Sequence, residues 1–262
     1  MSAAVDAVFA QCKTEQRAAL VAYLPAGYPD QGASEQAVGD LARAGADIVE
    51  VGVPYSDPLM DGPVIQDAAD QALAAGFRFA HLLRCVEAVA EAGSVPVVMS
   101  YWNPVLRYGP DRFARDLASA GGAGLITPDL IPDEASAWTE AAAEHGVDPI
   151  FLIAPSSTDE RLKMTMNACR GFVYAASTMG VTGARDAVGG GAEALVTRAR
   201  GVSDLPVCVG LGVSNADQAA EVAAFADGVI VGSALVSALG ADPSRTALTT
   251  LTASLAEGVR RR

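Results

Sequence analysis

The sequence predicts an α/β fold of the (β/α)8 type, a TIM barrel in which eight parallel strands close into a cylinder inside a ring of helices. Three observations predict it. Short β-branched and apolar runs recur along the whole chain, most of them followed by a polar turn and a stretch with helical periodicity. These runs number eight, whereas a doubly wound sheet has about five or six strands and a glycine fingerprint after its first. The first turn here reads Pro-Ala-Gly-Tyr-Pro-Asp instead. The length, 262 residues, is that of one such barrel, so a single domain over 1–262 is expected.

In order along the chain, an extra helix at about 3–18 would plug the bottom of the barrel. The first strand, LVAYLP (20–25), is followed by a helix at 32–44, and the second strand is DIVEVGV (47–53). A gap of about 42 residues then leaves room for an extended loop and a large insertion before VPVVMSY (95–101), with a helix at 79–92. Next come a helix at 111–120, GLITPDL (124–130), a helix at 133–145, PIFLIAP (149–155) and GFVYAAS (171–177). A second extended loop, TMGVTGARDAVGGG (178–191), precedes LPVCVGLG (205–212), and ADGVIVGS (226–233) is the last strand, with helices at 215–224 and 243–260. Asp111, Asp133 and either Ser214 or Asn215 stand where helix caps are expected.

Loops that follow strands build the active site of such a barrel, and the last two often hold a phosphate on backbone N–H groups and a helix N-terminus. Gly210, Leu211, Gly212, Val213 and Ser214 follow the seventh strand, and Gly232 and Ser233 the eighth. Glycine lets the backbone approach an anion, and the Ser233 hydroxyl adds a donor. Ordinary tight turns would also use these residues, but two small-residue loops in these two places favour a phosphorylated ligand. The glycine-rich loop after the sixth strand reads as a lid, or else as a plain surface connection.

Strand side chains alternate between faces. With Val49, Val51 and Val53 toward the helices, Ile48, Glu50 and Gly52 face the barrel interior. Burial disfavours an ionised carboxyl, so Glu50 is expected to hold its proton near neutrality, the state a general acid requires. A salt-bridged structural role is the alternative, but no basic residue stands at a strand end. The next loop, Pro54 to Pro63, carries three prolines that would hold Asp57 and Asp61 stiffly, although acidic residues in such loops are often turn formers.

Absences narrow the chemistry. Lys13 and Lys163, the only lysines, fall in helical segments, which leaves no Schiff-base lysine at a strand end. His81 and His145 also fall on helices, so no metal site is expected. A net charge of −13 opposes nucleic acid and anionic membrane surfaces. Cys12, Cys85, Cys169 and Cys208 show no metal or disulfide spacing, pointing to a reducing, cytoplasmic compartment. The first residues lack a basic-then-apolar export pattern, and no apolar run reaches membrane-spanning length. What remains is acid–base chemistry by carboxylates on a phosphorylated small molecule.

The segment VEVGVPYSDPLMDGPVIQDA resembles the signature of the tryptophan synthase α chain family. The resemblance runs in order from YLPAGYPD through PDLIPDE and GVTGAR to LGVSNADQA and DGVIVGSALV, and covers essentially the whole chain. It implies a lyase that cleaves indole-3-glycerol phosphate to indole and glyceraldehyde 3-phosphate in a retro-aldol step. By resemblance, Glu50 protonates indole C3 and takes the proton of the glycerol hydroxyl, while Asp61 accepts the indole N–H. Thr182 would bond Asp61 when the lid shuts, and Gly183, Gly212, Gly232 and Ser233 would cradle the phosphate. Tyr174 would lie beside the substrate, with Tyr23, Met99, Tyr101, Ile126 and Leu211 as the walls of the indole pocket. Tyr23 and Leu211 stand where phenylalanine is common in the family, and Pro128 where a small residue is common.

The same resemblance implies an αββα complex with a β subunit that carries pyridoxal phosphate, this chain holding no cofactor of its own. Asp57, the loop 54–63 and parts of 100–109 and 128–133 are expected to face that partner. A stand-alone indole-releasing lyase, a non-catalytic phosphate-binding subunit and a different sugar-phosphate isomerase or prenyltransferase barrel are the competing readings. Intact Glu50 and Asp61 speak against the second, and missing motifs against the third.

Overall fold

In the computed structural model, which describes residues 3–176 and 190–261, helix α1 (Ala3–Thr14) leads into β1 (Ala19–Pro25), α2 (Gln31–Arg43) and β2 (Ile48–Gly52). Two helices, α3 (Pro63–Ala74) and α4 (Phe79–Glu91), separate β2 from β3 (Val95–Met99). Then come α5 (Trp102–Tyr108), α6 (Pro110–Ser119), β4 (Gly124–Ile126), a single 3-10 turn (Pro132–Glu134) and α7 (Ser136–His145). The fifth strand is in two pieces, β5 (Asp148–Ile150) and β6 (Leu152–Ile153), followed by α8 (Asp159–Ala168) and β7 (Val173–Ala176). The chain ends with α9 (Gly190–Arg200), β8 (Val207–Gly210), α10 (Ala216–Ala223), β9 (Gly228–Val231), α11 (Ser233–Ala241) and α12 (Thr246–Gly258).

All pairings are parallel, in the order β5-β4-β3-β2-β1-β9-β8-β7-β6. The two ends of that order are the two halves of one strand, so the sheet closes on itself as the expected eight-stranded barrel. The break falls at Phe151, whose N–H goes to Cys169 Sγ at 3.2 Å, while its carbonyl accepts from Tyr174 N at 3.1 Å. The single strand expected at 149–155 is therefore shorter and divided.

Two shells of apolar side chains hold the barrel. Val49, Val51, Val98, Leu125, Val173 and Val209 point outward and pack with Leu41, Val86, Leu117, Trp138 and Leu255 of the surrounding helices. Ile48, Val97, Ile126, Ile150, Phe172, Cys208 and Ile230 fill the interior together with Val5, Phe9 and Cys12 of α1. Helix α1 thus plugs one end, as expected, with Phe9 5.9 Å from Phe172. It is shorter than the expected 3–18. Gln16 turns left-handed (φ 55°), and Arg17 makes two hydrogen bonds to Asp47, at 2.7 and 2.8 Å.

The insertion after β2 contains a complete helix, α3, started by Pro63. Asn215, not Ser214, caps α10 by accepting from Gln218 N. Asp111 and Asp133 are not caps. Pro110 starts α6 behind Gly109, which puts Asp111 inside the first turn, and Asp133 lies in the 3-10 turn ahead of α7. Cys12, Cys85, Cys169 and Cys208 are buried free thiols, and no described helix is long and apolar enough to cross a membrane.

Phe9→Ala removes a ring that fills the barrel bottom and is expected to cost about 3 kcal/mol of stability. A urea unfolding series on the two proteins checks this.

Candidate active site

Each element of the site follows from a strand end. In the β1–β2–β3 register Glu50 lies beside Tyr23 and Val97, on the inward side, because Val49 and Val51 are drawn into the outer shell. Its side chain is 1% exposed and its Oε2 has no hydrogen-bond partner among the described residues. Burial raises its pKa to about 8, with the nearby charge of Asp61 adding to the effect. At neutral pH the carboxyl therefore keeps its proton.

Asp61 is held over the same space by the loop that leaves β2. The Tyr101 hydroxyl accepts from Leu59 N and Met60 N, each at 3.0 Å, and donates to Asp61 Oδ1 at 3.4 Å. Tyr55 stacks on Tyr101 at 5.1 Å, and Gln66 Nε2 donates to the Asp61 carbonyl at 2.7 Å. Burial raises the pKa of Asp61, and the bond from Tyr101 opposes that rise. Asp57 is exposed and accepts from Ser56 Oγ at 2.6 Å.

The other end of the site presents backbone that can receive an anion. Gly212 is left-handed (φ 68°), a conformation glycine adopts without strain. Helix α11 begins at Ser233 behind Gly232 with no side-chain cap, which leaves its first N–H groups available. A cavity of about 620 Å3 joins the two ends: Tyr23, Glu50, Asp61, Met99, Tyr174, Leu211, Gly212, Gly232 and Ser233 all line it. Tyr174 reaches in from β7 across β8, where a methyl carbon at Gly210 would come within 2.7 Å of its hydroxyl.

Nine of the expected site residues thus share one cavity. Tyr101 stands behind the loop as its anchor, and Ile126 is packed inside the barrel; neither is on the cavity wall. Thr182, Gly183 and most of the expected lid lie outside the described residues. Leu59, Met60, Ile65, Pro128, Leu152 and Ser157 also line the cavity. Leu152 enters the site where the fifth strand is divided, and the placement of Ile65 depends on how α3 packs; the sequence carries no local signal for either.

A larger cavity, about 730 Å3, opens beside α1. Of the cations that line it, Arg17 and Arg200 are engaged by Asp47 and Asp227, at 2.7 and 2.9 Å. His145 ends α7 with Nε2 2.9 Å from Asp111 Oδ1 on α6, and Glu144 lies alongside, all on the outer helices.

The state of Glu50 links to stability. Below its ordinary pKa of 4.5 the folded and unfolded chains both hold the proton, and nothing is lost. Between that value and about 8 the unfolded chain ionises while the fold does not, so stability falls as pH rises. Glu50→Gln removes this loss. The variant is expected to match the parent near pH 5 and to exceed it by on the order of a few kcal/mol near pH 8, read from urea unfolding at both.

The tryptophan synthase alpha chain family model matches residues 9–260. The tryptophan synthase alpha chain of Mycobacterium marinum is 63% identical over 255 residues, covering 97% of this chain and 94% of the relative. That of Nocardia farcinica is 62% identical over 252 residues, covering 96% and 94%. Among solved structures, tryptophan synthase of Mycobacterium tuberculosis superposes with a TM-score of 0.94 at 60% identity, covering 98% of each chain. Tryptophan synthase subunit alpha of Legionella pneumophila superposes at 0.88 with 30% identity, covering 99% of each. With the family model and these relatives matching it over nearly its full length, the chain belongs to the tryptophan synthase α chain family.

Proposed function

We propose that Glu50 and Asp61 carry the chemistry of this lyase, the cleavage of indole-3-glycerol phosphate to indole and glyceraldehyde 3-phosphate in tryptophan biosynthesis. The observation that carries the reading is a protonated, unpaired carboxyl on the wall of a cavity whose far end is an uncapped helix N-terminus. The phosphate sits on the amides around Gly212, Gly232 and Ser233. The indole ring lies among Tyr23, Met99 and Leu211, next to Tyr174. Ile126 backs the pocket from inside the barrel and Tyr101 from behind the loop.

Glu50 gives its proton to indole C3. Asp61 accepts the indole N–H and so stabilises the positive charge that spreads to the ring nitrogen as C3 becomes tetrahedral. The bond from C3 to the glycerol carbon then breaks, its electrons return to the ring, and the hydroxyl on that carbon becomes the aldehyde. Its proton goes to Glu50, which restores the acid.

The chain works with a β subunit, and pyridoxal phosphate belongs to that subunit. The reading places the β subunit of an αββα complex against Asp57, the loop 54–63 and parts of 100–109 and 128–133. These segments carry exposed apolar side chains: Leu59, which is 78% exposed, Met60, Leu106 on α5 and Ile131, with Val64 just beyond the first. Such a patch supports a protein partner. Free thiols and the absence of a membrane-length helix among the described residues support a cytoplasmic setting.

Indole release from indole-3-glycerol phosphate, with and without a β chain, tests the reading. Glu50→Gln is expected to lower turnover by about a thousandfold or more while substrate still binds. Parental kcat should decline as pH rises through about 8, where Glu50 loses its proton. Unchanged turnover in Glu50→Gln would remove the mechanism.

A further inference from the structure

We propose that the Tyr23 hydroxyl is a specificity element that donates a hydrogen bond to the hydroxyl on the middle carbon of the substrate's three-carbon chain. The inference rests on the cleavage reaction proposed above and assigns the one polar group of the substrate left without a partner there. Asp61 takes the ring N–H, Glu50 takes the proton of the hydroxyl on the carbon joined to the ring, and the amides around Gly212 and Ser233 take the phosphate. The middle carbon's hydroxyl remains.

Tyr23 is placed to meet it. Strand β1 runs between β2 and β9, so its inward side chains lie between the acid and the phosphate cradle. Tyr23 is in register with Glu50 on one side. On the other side its ring runs along β9, where a methyl carbon at Gly232 would lie 3.4 Å from Tyr23 Cδ1. A chain stretched from the ring-cleaving end of the cavity to the anion-binding end must pass this residue.

The phenol's position depends on glycine at 52. That residue faces inward from β2, two positions beyond Glu50, and any Cβ there would overlap the Tyr23 hydroxyl and ring. The wall is thus cleared for the phenol oxygen just above the acid. Tyr101, the neighbouring tyrosine, spends its hydroxyl on the Leu59 and Met60 amides and on Asp61. The Tyr23 hydroxyl makes no hydrogen bond to any described residue, although the side chain is only 8% exposed and lines the cavity. A donor that lines the cavity without a protein partner is free to bond a ligand oxygen there. Burial, followed by the charges of Asp61 and Glu50, raises the pKa of this phenol well above its ordinary value, which keeps it a donor.

The test is Tyr23→Phe, assayed with two ligands. One is indole-3-glycerol phosphate. The other is indole-3-propanol phosphate, the same molecule without its two hydroxyls, used as a competitive inhibitor. Loss of one neutral hydrogen bond is expected to raise KM for the substrate about three- to tenfold, while Ki for the analogue changes less than about twofold. Retained analogue binding also shows that the variant is folded and its pocket intact. If KM and Ki shift by the same factor, or if KM does not move, the hydroxyl only packs and the proposal is overturned. If the parent protein releases no indole, the proposed reaction fails instead, a result separate from either of these.

Discussion

A single carboxyl group, Glu50, enclosed by apolar barrel walls with no cation beside it among the described residues, constrains everything built around it. An acid in that position cannot remain ionised at neutral pH without a large desolvation cost, so it carries a proton and is poised to give it away. The same burial that makes it useful subtracts from stability. Its neighbours are arranged to keep the position dry without supplying a counter-charge. Val97 and Tyr23 flank it in the sheet, and Asp61 adds like charge rather than compensation. Strain between stability and chemistry of this kind marks functional sites.

The second carboxyl shows how a loop substitutes for a strand. Asp61 lies nine residues beyond the end of β2, where no ladder fixes the backbone. Tyr101 supplies that rigidity by accepting two amides of the loop and donating to Asp61, while Tyr55 stacks on its ring. The Tyr101 aromatic body fills space and its polar tip organises backbone, a division of labour suited to a half-buried tyrosine. At the far end, by contrast, backbone rather than a charged side chain is available to an anion. The left-handed Gly212 and the bare start of α11 present backbone amides directly.

The barrel was legible because parallel strands covered on both sides read as uninterrupted apolar runs, and here there are eight of them. The inward direction of Glu50 followed from a period of two anchored by the valines around it. The convergence of Gly212, Gly232 and Ser233 on one cavity followed from small residues in the loops after the last two strands. Other features were hidden. The split at Phe151 depends on a thiol, Cys169, that reaches the strand only after α8 has folded over it. The extent of α3 and its contribution of Ile65 to the cavity depend on packing across sequence-distant elements. Tyr101 reads as a pocket wall by the family resemblance, but its hydroxyl is claimed by a loop some forty residues away in sequence. Local patterns report which face of an element is apolar; they do not report which partner a loop will find.

The protonation state of Glu50 is the point on which the chemistry turns, and it can be observed directly. Infrared difference spectra between the parent protein and Glu50→Gln isolate the carboxyl C=O stretch of this one residue across a pH series. The account predicts that a protonated-carboxyl band persists through neutrality and disappears with a midpoint near 8. A band that disappears near the ordinary value of 4.5 would contradict it.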